Sequence, residues 1–260
     1  MKERADKIVV NRGLAESPHK AQALILAGLV YYEKGRVEKP GQLVSVGTEI
    51  FLKETMPYVG RGGLKLIEAL GCFKIAPEGK VAADLGCSTG GFTDCLLKER
   101  AKKVYAVDVD TRQIDVNLRE NPRVVLIEKN ARYLERDDFL DPLDLITMDL
   151  SFISVLKVLP AIKNILGNGE FIALIKPQFE VGKGQVGKGG IVRDPDLHVE
   201  VLQRILQQVG RMGFLVQGLM KTSVRGQKGN REFFVHGSLH KKTLTHAQAQ
   251  KLIKEAVWDG

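Results

Sequence analysis

The sequence contains little of what disulfide-bonded, metal-binding or membrane-spanning proteins require. It has three cysteines in 260 residues, too few and too irregularly spaced for a disulfide framework or a zinc site. No apolar run approaches the roughly 20 residues that span a bilayer. The charged N-terminal residues are not followed by an apolar segment, so we expect no signal peptide. We therefore predict a cytoplasmic protein with no bound metal, in which Cys72, Cys87 and Cys95 are buried free thiols.

The charge and the length indicate the class of partner and the number of domains. The formal net charge is +8, which is compatible with a polyanionic partner but does not identify one. The chain is long enough for one large α/β domain and one small module.

Residues 1–57 have the pattern of a small α+β module. Ala5, Ile8 and Val9 mark one face of a helix over residues 3–12, which Gly13 ends. Ser17 is placed to cap a second helix that stops at Gly28. Short β segments follow, separated by turns at Lys34-Gly35 and Pro40-Gly41: Leu29–Tyr32, Val44–Val46 and Glu49–Leu52.

The two predicted helices of this module carry a recognisable motif. The strings from Arg12 to Ser17, Lys20-Ala21 and Ala27 to Val30 resemble the RNA-binding module first seen in a small-subunit ribosomal protein. The resemblance implies that Arg12, Ser17 and Lys20 contact RNA phosphates. Arg4, which counts among the exposed basic positions of the module, is a further candidate. A solvated basic face without a ligand is the alternative that charge counting leaves open.

From about residue 80, strands and helices alternate, which predicts a doubly wound, mostly parallel sheet. The predicted strands are Val81–Asp84, Val104–Asp108, Val124–Ile127, Leu143–Asp149, Phe171–Lys176, Leu215–Met220 and an antiparallel Glu232–His236. The predicted helices are Phe92–Glu99, Thr111–Arg119, Val155–Leu166 and Asp196–Met212. We expect residues 58–79 to form a linker and first helix, 80–240 the Rossmann-like α/β domain, and 241–260 a helical tail without assigned function.

Polar and glycine residues follow the first three strands of this domain, where such sheets bind ligands. The first strand leads into a glycine-rich turn that begins with an acid, unlike the turn of dinucleotide-binding proteins. This acid, Asp84, suits a cationic ligand such as S-adenosylmethionine but would repel the pyrophosphate of a dinucleotide. A nucleotide-dependent dehydrogenase is therefore the weaker interpretation. A purely structural turn is a further alternative. The predicted cofactor-binding residues are Asp84, Gly86, Ser88, Thr89, Gly90, Gly91, Phe92, Asp108, Asn130, Ala131 and Asp149.

The fourth and fifth strands end in Asp149 and Lys176. The segment after Asp149 lacks the Asn/Asp-Pro-Pro-aromatic signature of enzymes that methylate base amines, and no Pro-Cys nucleophile is present. These absences favour a hydroxyl as methyl acceptor. Lys65, Asp149, Lys176 and Glu232 resemble the Lys-Asp-Lys-Glu tetrad of FtsJ-type ribose 2′-O-methyltransferases, in which a base takes the hydroxyl proton.

The chain as a whole is similar to the TlyA family, often labelled haemolysin A. The motifs that carry this similarity run from Tyr58 to Lys65, Ser88 to Asp94, Asn130 to Tyr133, Asp149 to Ser154, Lys176 to Glu180 and Gly187 to Gly190. The resemblance implies S-adenosylmethionine as cofactor and ribosomal RNA as substrate, with a cytidine ribose as acceptor. Cys87, Asp110 and Lys129 depart from the commonest family strings, and the last two flank the expected adenosine site.

Residues 182–193 are rich in glycine and predict a mobile loop beside the active site. Lys188 and Arg193 of this loop, together with Arg61, are candidates for RNA phosphate contacts. Two other functions stay open: an RNA-binding protein with an inactive methyltransferase fold, and a membrane-lysing toxin. No DNA partner is expected.

Overall fold

The computed structural model describes residues 2–32, 35–52, 56–182, 184–226, 228–240 and 243–258. The chain divides into two compact units, Met1–Met56 and Pro57–Gly260. Each unit has a hydrophobic core of its own.

The N-terminal unit packs two helices against short strands. Helices α1 (Ala5–Asn11) and α2 (Pro18–Leu26) contact each other. Their inward apolar residues join those of the strands in one core. The strands are β1 (Lys2–Arg4), β2 (Val30–Tyr32), β3 (Gly35–Arg36), β4 (Leu43–Ser45) and β5 (Ile50–Leu52). β1 pairs with β4, while β2 lies between β3 and β5.

Two expectations for this unit need correction. The predicted first helix was to begin at residue 3, but Lys2–Arg4 is a strand, because it pairs antiparallel with Leu43–Ser45. The predicted strand Val44–Val46 is displaced by one residue for the same reason. Gly13 and Gly28 follow the two helices with φ of 71° and 72°, as the helix-ending assignment requires. Lys34 of the predicted turn lies outside the described residues.

The larger unit is built on a seven-stranded sheet in the order β11-β12-β10-β9-β6-β7-β8. Among the strands in the described residues of this sheet, β12 alone runs opposite to the other six, so the predicted doubly wound sheet with an antiparallel last strand is confirmed. The strands are β6 (Val81–Leu85), β7 (Lys103–Asp108), β8 (Val124–Glu128), β9 (Leu145–Met148), β10 (Glu170–Ile175), β11 (Leu215–Lys221) and β12 (Phe233–Ser238).

Helices cover both faces of this sheet. Alternate strand residues point to two separate apolar clusters, as expected for a sheet buried on both sides. The helices are α3 (Arg61–Phe73), α4 (Gly91–Lys98), α5 (Val116–Arg119), α6 (Leu159–Ile165), α7 (Pro177–Glu180), α8 (Pro195–Arg211) and α9 (His246–Trp258). α9 lies within the predicted helical tail and packs against α8 and β11.

Two predicted helices are shorter than expected. The segment Thr111–Arg119 divides into a 3₁₀ turn and α5, because Ile114 is extended between them (φ −65°, ψ 142°) and Asp115 caps the second piece. The segment Val155–Leu166 divides into a 3₁₀ turn, which Ser154 caps, and α6, which has Pro160 in its first turn. Proline lacks the N–H that a helix interior needs, so it suits this position.

The direction in which the chain adds strands to the sheet reverses between β6 and β9. From β6 the chain adds β7 and β8 on one side and then crosses to β9 on the other. Ligands bind such sheets beyond the carboxyl ends of the strands at this point.

Candidate active site

The glycine-rich turn after β6 has a backbone that only glycine allows at two positions. Gly86 has φ +83°, and a Cβ there would lie 2.7 Å from the Asp149 carbonyl oxygen. Gly90 has φ +95°, and its Cβ would lie 2.3 Å from Leu118. Ser88, between them, is also left-handed, with φ 49°. The turn is therefore held in a strained, close-packed form just before α4, as is common at ligand-binding loops.

Asp84 lies beneath this turn and is fully buried. It accepts hydrogen bonds from the Thr93 hydroxyl at 2.7 Å and the Thr147 hydroxyl at 3.3 Å. Burial raises the pKa of its carboxyl to about 7, and the negative charge of Asp149 contributes to the rise. Asp84 is not among the described residues that line the cavity above the turn. Its predicted direct contact with a cofactor therefore stays a prediction.

Asp108 ends β7 and does line the cavity. Its two carboxylate oxygens accept from the backbone N–H of Ser88 at 2.9 Å and of Asp110 at 3.2 Å. Asn130 and Ala131 follow β8 on the same cavity wall. The geometry thus brings the ends of β6, β7 and β8 together around one space.

The two unusual charged residues near this wall each bind a partner. Asp110 pairs with Arg112 at 2.8 Å, and the hydrogen bond from this guanidinium lowers the pKa of Asp110 to about 2. Lys129 pairs with Asp138 at 2.8 Å. The charges of Asp110 and Lys129, beside the expected adenosine site, are therefore each neutralised by a nearby residue of opposite charge.

The four predicted catalytic side chains meet as two ion pairs. Lys65 of α3 lies 2.7 Å from Glu232, which directly precedes β12. Both side chains are buried, with 10% and 3% of their surfaces exposed. A Cβ on Gly226 would lie 2.4 Å from a Glu232 carboxylate oxygen, so the neighbouring loop closes tightly over this glutamate.

The second pair joins the ends of two neighbouring parallel strands. Lys176, directly after β10, lies 2.6 Å from Asp149, directly after β9. Its Nζ also donates to the Ser151 hydroxyl at 3.0 Å. The register that pairs Met148 with Ala173 brings these two strand ends side by side.

All four side chains line one cavity of about 1070 Å³, together with Gly86, Ser88, Thr89, Gly91, Phe92, Asp108, Asn130 and Ala131. Of the predicted cofactor-binding residues, Asp84 and Gly90 are the two that this wall does not include. The cavity is large enough for a nucleoside-sized ligand and part of a second one.

Sequence reasoning missed an aromatic pair at this cavity. Phe152 and Phe179 both line it, and their ring centroids are 5.1 Å apart. Phe152 has φ 63° and is 90% exposed, a costly combination for a large apolar residue. Both lie inside the motifs after Asp149 and Lys176, so an aromatic residue three positions after each predicted catalytic residue was the available signal.

The predicted RNA-binding residues of this unit separate into two groups. Arg61 lines the cavity, and its guanidinium donates to the Arg225 carbonyl oxygen at 2.6 Å. Lys188 and Arg193 are exposed, but neither is among the described residues of the cavity wall. Arg225 and Lys228 do line it and were not predicted, because their glycine-rich loop has no periodicity to place them. The predicted mobility of residues 182–193 stays a prediction.

In the N-terminal unit, the four predicted RNA-binding residues each make a hydrogen bond or ion pair within the unit. Arg4 pairs with Asp6 at 2.7 Å, and Lys20 pairs with Glu16 at 2.9 Å. Arg12 donates to the Val46 carbonyl oxygen at 2.7 Å. Ser17 caps α2 by accepting from the Lys20 N–H at 3.2 Å. Arg4, Arg12 and Lys20 stay exposed, so their cationic groups are accessible to a phosphate.

The cysteines correct one expectation. Cys87 and Cys95 are buried as predicted, but Cys72 is exposed because it lies on the outer side of α3. Burial raises the pKa of the Cys95 thiol to about 12. Among the described residues, no group of three or more His, Cys, Asp or Glu side chains could hold a metal ion. In the same residues, every helix is too short or too polar to cross a bilayer.

Comparisons with known proteins match both units. A family model described as FtsJ-like methyltransferase matches residues 58–239, and an S4 domain model matches residues 3–50. The 16S/23S rRNA (cytidine-2′-O)-methyltransferase TlyA of Mycobacterium tuberculosis is 40% identical over 236 residues, which is 89% of this chain and 88% of that protein.

Two further relatives carry a different name. Hemolysin A of Brachyspira hyodysenteriae is 42% identical over 90% of this chain and 98% of its own length. A solved structure of a candidate hemolysin from Streptococcus thermophilus has a TM-score of 0.74 and 40% identity, covering 98% of this chain and 95% of that one.

Proposed function

Because this chain belongs to the FtsJ-like methyltransferase family, we propose that it methylates the ribose 2′-hydroxyl of a cytidine in ribosomal RNA, with S-adenosylmethionine as the methyl donor. The observation that carries the proposal is the meeting of Lys65, Asp149, Lys176 and Glu232 beside the glycine-rich turn. The TlyA relative, named for this reaction on 16S and 23S rRNA, supports the substrate.

The cavity wall suits S-adenosylmethionine. Gly86 and Gly91 line the cavity without side chains, and Asp108 presents a carboxylate suited to ribose hydroxyls. We assign the turn to the methionine end of the cofactor, Asp108 to its ribose, and Asn130 and Ala131 to its adenine. When bound, this cofactor supplies an electrophilic methyl group on a sulfonium.

The Lys176–Asp149 pair is the basic group of the proposed reaction. A ribose hydroxyl attacks well only when its proton is removed in the transition state. Lys176 can take that proton as it passes one of its ammonium protons to the Asp149 carboxylate, so that the pair as a unit gains one proton. Lys65 and Glu232, which line the same cavity, orient the hydroxyl while neutralising each other's charge. Most of the rate enhancement then comes from placing the hydroxyl in line with the methyl group.

Exposed cations supply affinity for RNA. In the S4 domain, Arg12 and Lys20 are accessible, while Arg61 lies on the cavity wall and Lys188 and Arg193 lie on the surface of the larger unit. Contacts from such side chains to phosphates position RNA without reading its sequence. Since ribosomal subunits are cytoplasmic, we place the reaction there.

The test is transfer of labelled methyl from S-adenosylmethionine to purified ribosomal subunits. Wild-type protein should label the RNA, and Lys176→Ala should lower the rate by about 10²- to 10⁴-fold, the usual contribution of a positioned base. Lys163→Ala is the matched control, because this exposed lysine of α6 is outside the cavity wall. If folded wild-type protein binds RNA but labels neither subunit, an RNA-binding protein without turnover is the better description.

A further inference from the structure

We propose that Glu180 is a positioning residue, which aligns the Lys176–Asp149 pair by tying together the segments that follow β9 and β10. The inference rests on the proposed function, since it assigns Glu180 a part in the same reaction. Glu180 is not among the described residues that line the cavity, so it acts through other side chains.

The carboxylate of Glu180 is buried, and each of its two oxygens accepts a hydrogen bond. Its side chain is 1% exposed and belongs to α7, the four-residue helix that starts directly after Lys176. One oxygen accepts from the Ser154 hydroxyl at 2.7 Å, and the other accepts from the Val155 N–H at 2.8 Å. Both partners belong to the segment that follows Asp149.

Hydrogen bonds hold this segment at both ends, and Leu150 and Ile153 within it pack against the core. Asp149 is fixed by its own N–H, which donates to the Leu85 carbonyl oxygen at 3.0 Å. Between Asp149 and Ser154 the backbone passes through Phe152, which has the left-handed φ of 63° and is almost fully exposed. Glu180 therefore provides the far anchor of a strained loop. Ser151, which contacts Lys176, lies between the two anchors.

Burial of the Glu180 carboxylate costs solvation free energy, so its presence here favours a functional role over simple packing. Burial raises the pKa of Glu180, because an ionised group loses solvation there. Arg204 offsets little of this cost, because its guanidinium nitrogen is 3.9 Å from the carboxylate and it is half-exposed. A well-packed apolar side chain would fill the same volume at lower cost, but it could not hold Ser154 and the Val155 N–H together.

The experiment compares single-turnover methyl transfer by wild type, Glu180→Ala, Glu180→Gln and Ser154→Ala on purified ribosomal subunits. Glu180→Ala should lower the transfer rate by about 10- to 100-fold, since misplacement of reacting groups by about 1 Å has effects of this size. Glu180→Gln should stay within about threefold of wild type, because its amide oxygen still accepts from Val155 and its amide nitrogen can donate to Ser154. Ser154→Ala, which removes one of the two bonds, should lie between them.

Two further measurements separate positioning from folding. S-adenosylmethionine affinity by calorimetry and KM for the subunits should change by less than about threefold in every variant. Glu200→Ala, an exposed glutamate of α8, is the matched control. A rate loss in Glu180→Ala that glutamine does not rescue, or that is matched by an equal loss of cofactor affinity, would overturn the positioning role. So would a wild-type rate in Glu180→Ala. If Glu180→Ala does not fold, the ordering of wild type, Glu180→Gln and Ser154→Ala decides the question. Absence of methylation by wild type would instead contradict the proposed function itself.

Discussion

The two units of this chain use their charged residues in opposite ways. In the larger unit, four charged side chains from distant parts of the sequence form two pairs within one cavity. In the N-terminal unit, Arg4 and Lys20 pair with carboxylates two and four residues away, and their cationic ends stay exposed. Chemistry demands convergence of groups held in fixed geometry, whereas affinity for a polyanion needs only accessible charge. Substitutions in the cavity of the larger unit should therefore lower the methyl-transfer rate strongly. Substitutions of exposed cations in the N-terminal unit should lower the affinity for RNA by small steps.

The largest expected effect comes from breaking the buried Lys65–Glu232 pair. Glu232→Ala leaves the Lys65 ammonium buried without its partner, which should lower the free energy of unfolding by about 3–5 kcal/mol and abolish methyl transfer. Chemical denaturation and single-turnover transfer measure the two quantities. The double variant Lys65→Met/Glu232→Leu should regain most of the stability and none of the activity. Recovery of activity in the double variant would show that this pair serves folding alone.

A second effect concerns the glycine-rich turn after β6. Gly90→Ala introduces a Cβ at 2.3 Å from Leu118 and a side chain at φ +95°, so it should cost about 1–3 kcal/mol and weaken S-adenosylmethionine binding. Gly71→Ala is the matched control, because that helical glycine has open space around it. It should be neutral or stabilise by about 0.5–1 kcal/mol. Equal behaviour of the two variants in thermal unfolding and calorimetry would contradict the assigned role of the turn.

The pH dependence of stability tests Asp84. Its folded pKa of about 7 lies above its ordinary value, so the folded state binds more protons than the unfolded state between pH about 4 and 7. The free energy of unfolding should therefore fall as pH rises through this window. Asp84→Asn lacks this titration, so its stability relative to wild type should be greater at pH 8 than at pH 5. Parallel stability profiles for the two proteins would rule out the raised pKa.

The smallest effect is expected in the N-terminal unit. Lys20→Ala should weaken RNA binding only a few-fold and reduce the slope of log affinity against log salt by about 0.7–0.9, the value for one phosphate contact. The rate at saturating subunits should not change. Glu16→Gln is a useful comparison, because it frees the Lys20 ammonium from its 2.9 Å pair and should tighten binding slightly. A large loss of the methyl-transfer rate at saturating subunits in Lys20→Ala would contradict the view that the N-terminal unit contributes only to RNA affinity.

Much of the larger unit follows from its sequence, because strand ends carry the motifs. The alternation of apolar strands with helices predicts the sheet, and the acids, glycines and lysines at strand ends predict the cavity wall. Helix breaks were missed at Ile114 and Val158, since the apolar periodicity continues across them. The first strand was also missed, because three residues paired with a distant segment carry no local signal.

The contacts between loops were beyond sequence reasoning. Glu180 is a glutamate in a short motif, and nothing in the sequence indicates that it reaches Ser154 and Val155. Arg225 and Lys228 reach the cavity from a loop without periodicity, and Asp84 turns away from it towards Thr93 and Thr147. Such placements depend on which strands become neighbours.

The most direct test of the account is the identity of the methylated nucleoside. Ribosomal RNA treated with the wild-type protein should be digested to nucleosides and analysed by mass spectrometry. The account predicts methylcytidine whose fragmentation releases an unmethylated base, which places the methyl group on the ribose. At equal reaction times, this product should be strongly reduced after treatment with Lys176→Ala and undiminished after treatment with Lys163→Ala. A methylated base fragment would contradict the assignment of Lys65, Asp149, Lys176 and Glu232 to the activation of a ribose hydroxyl.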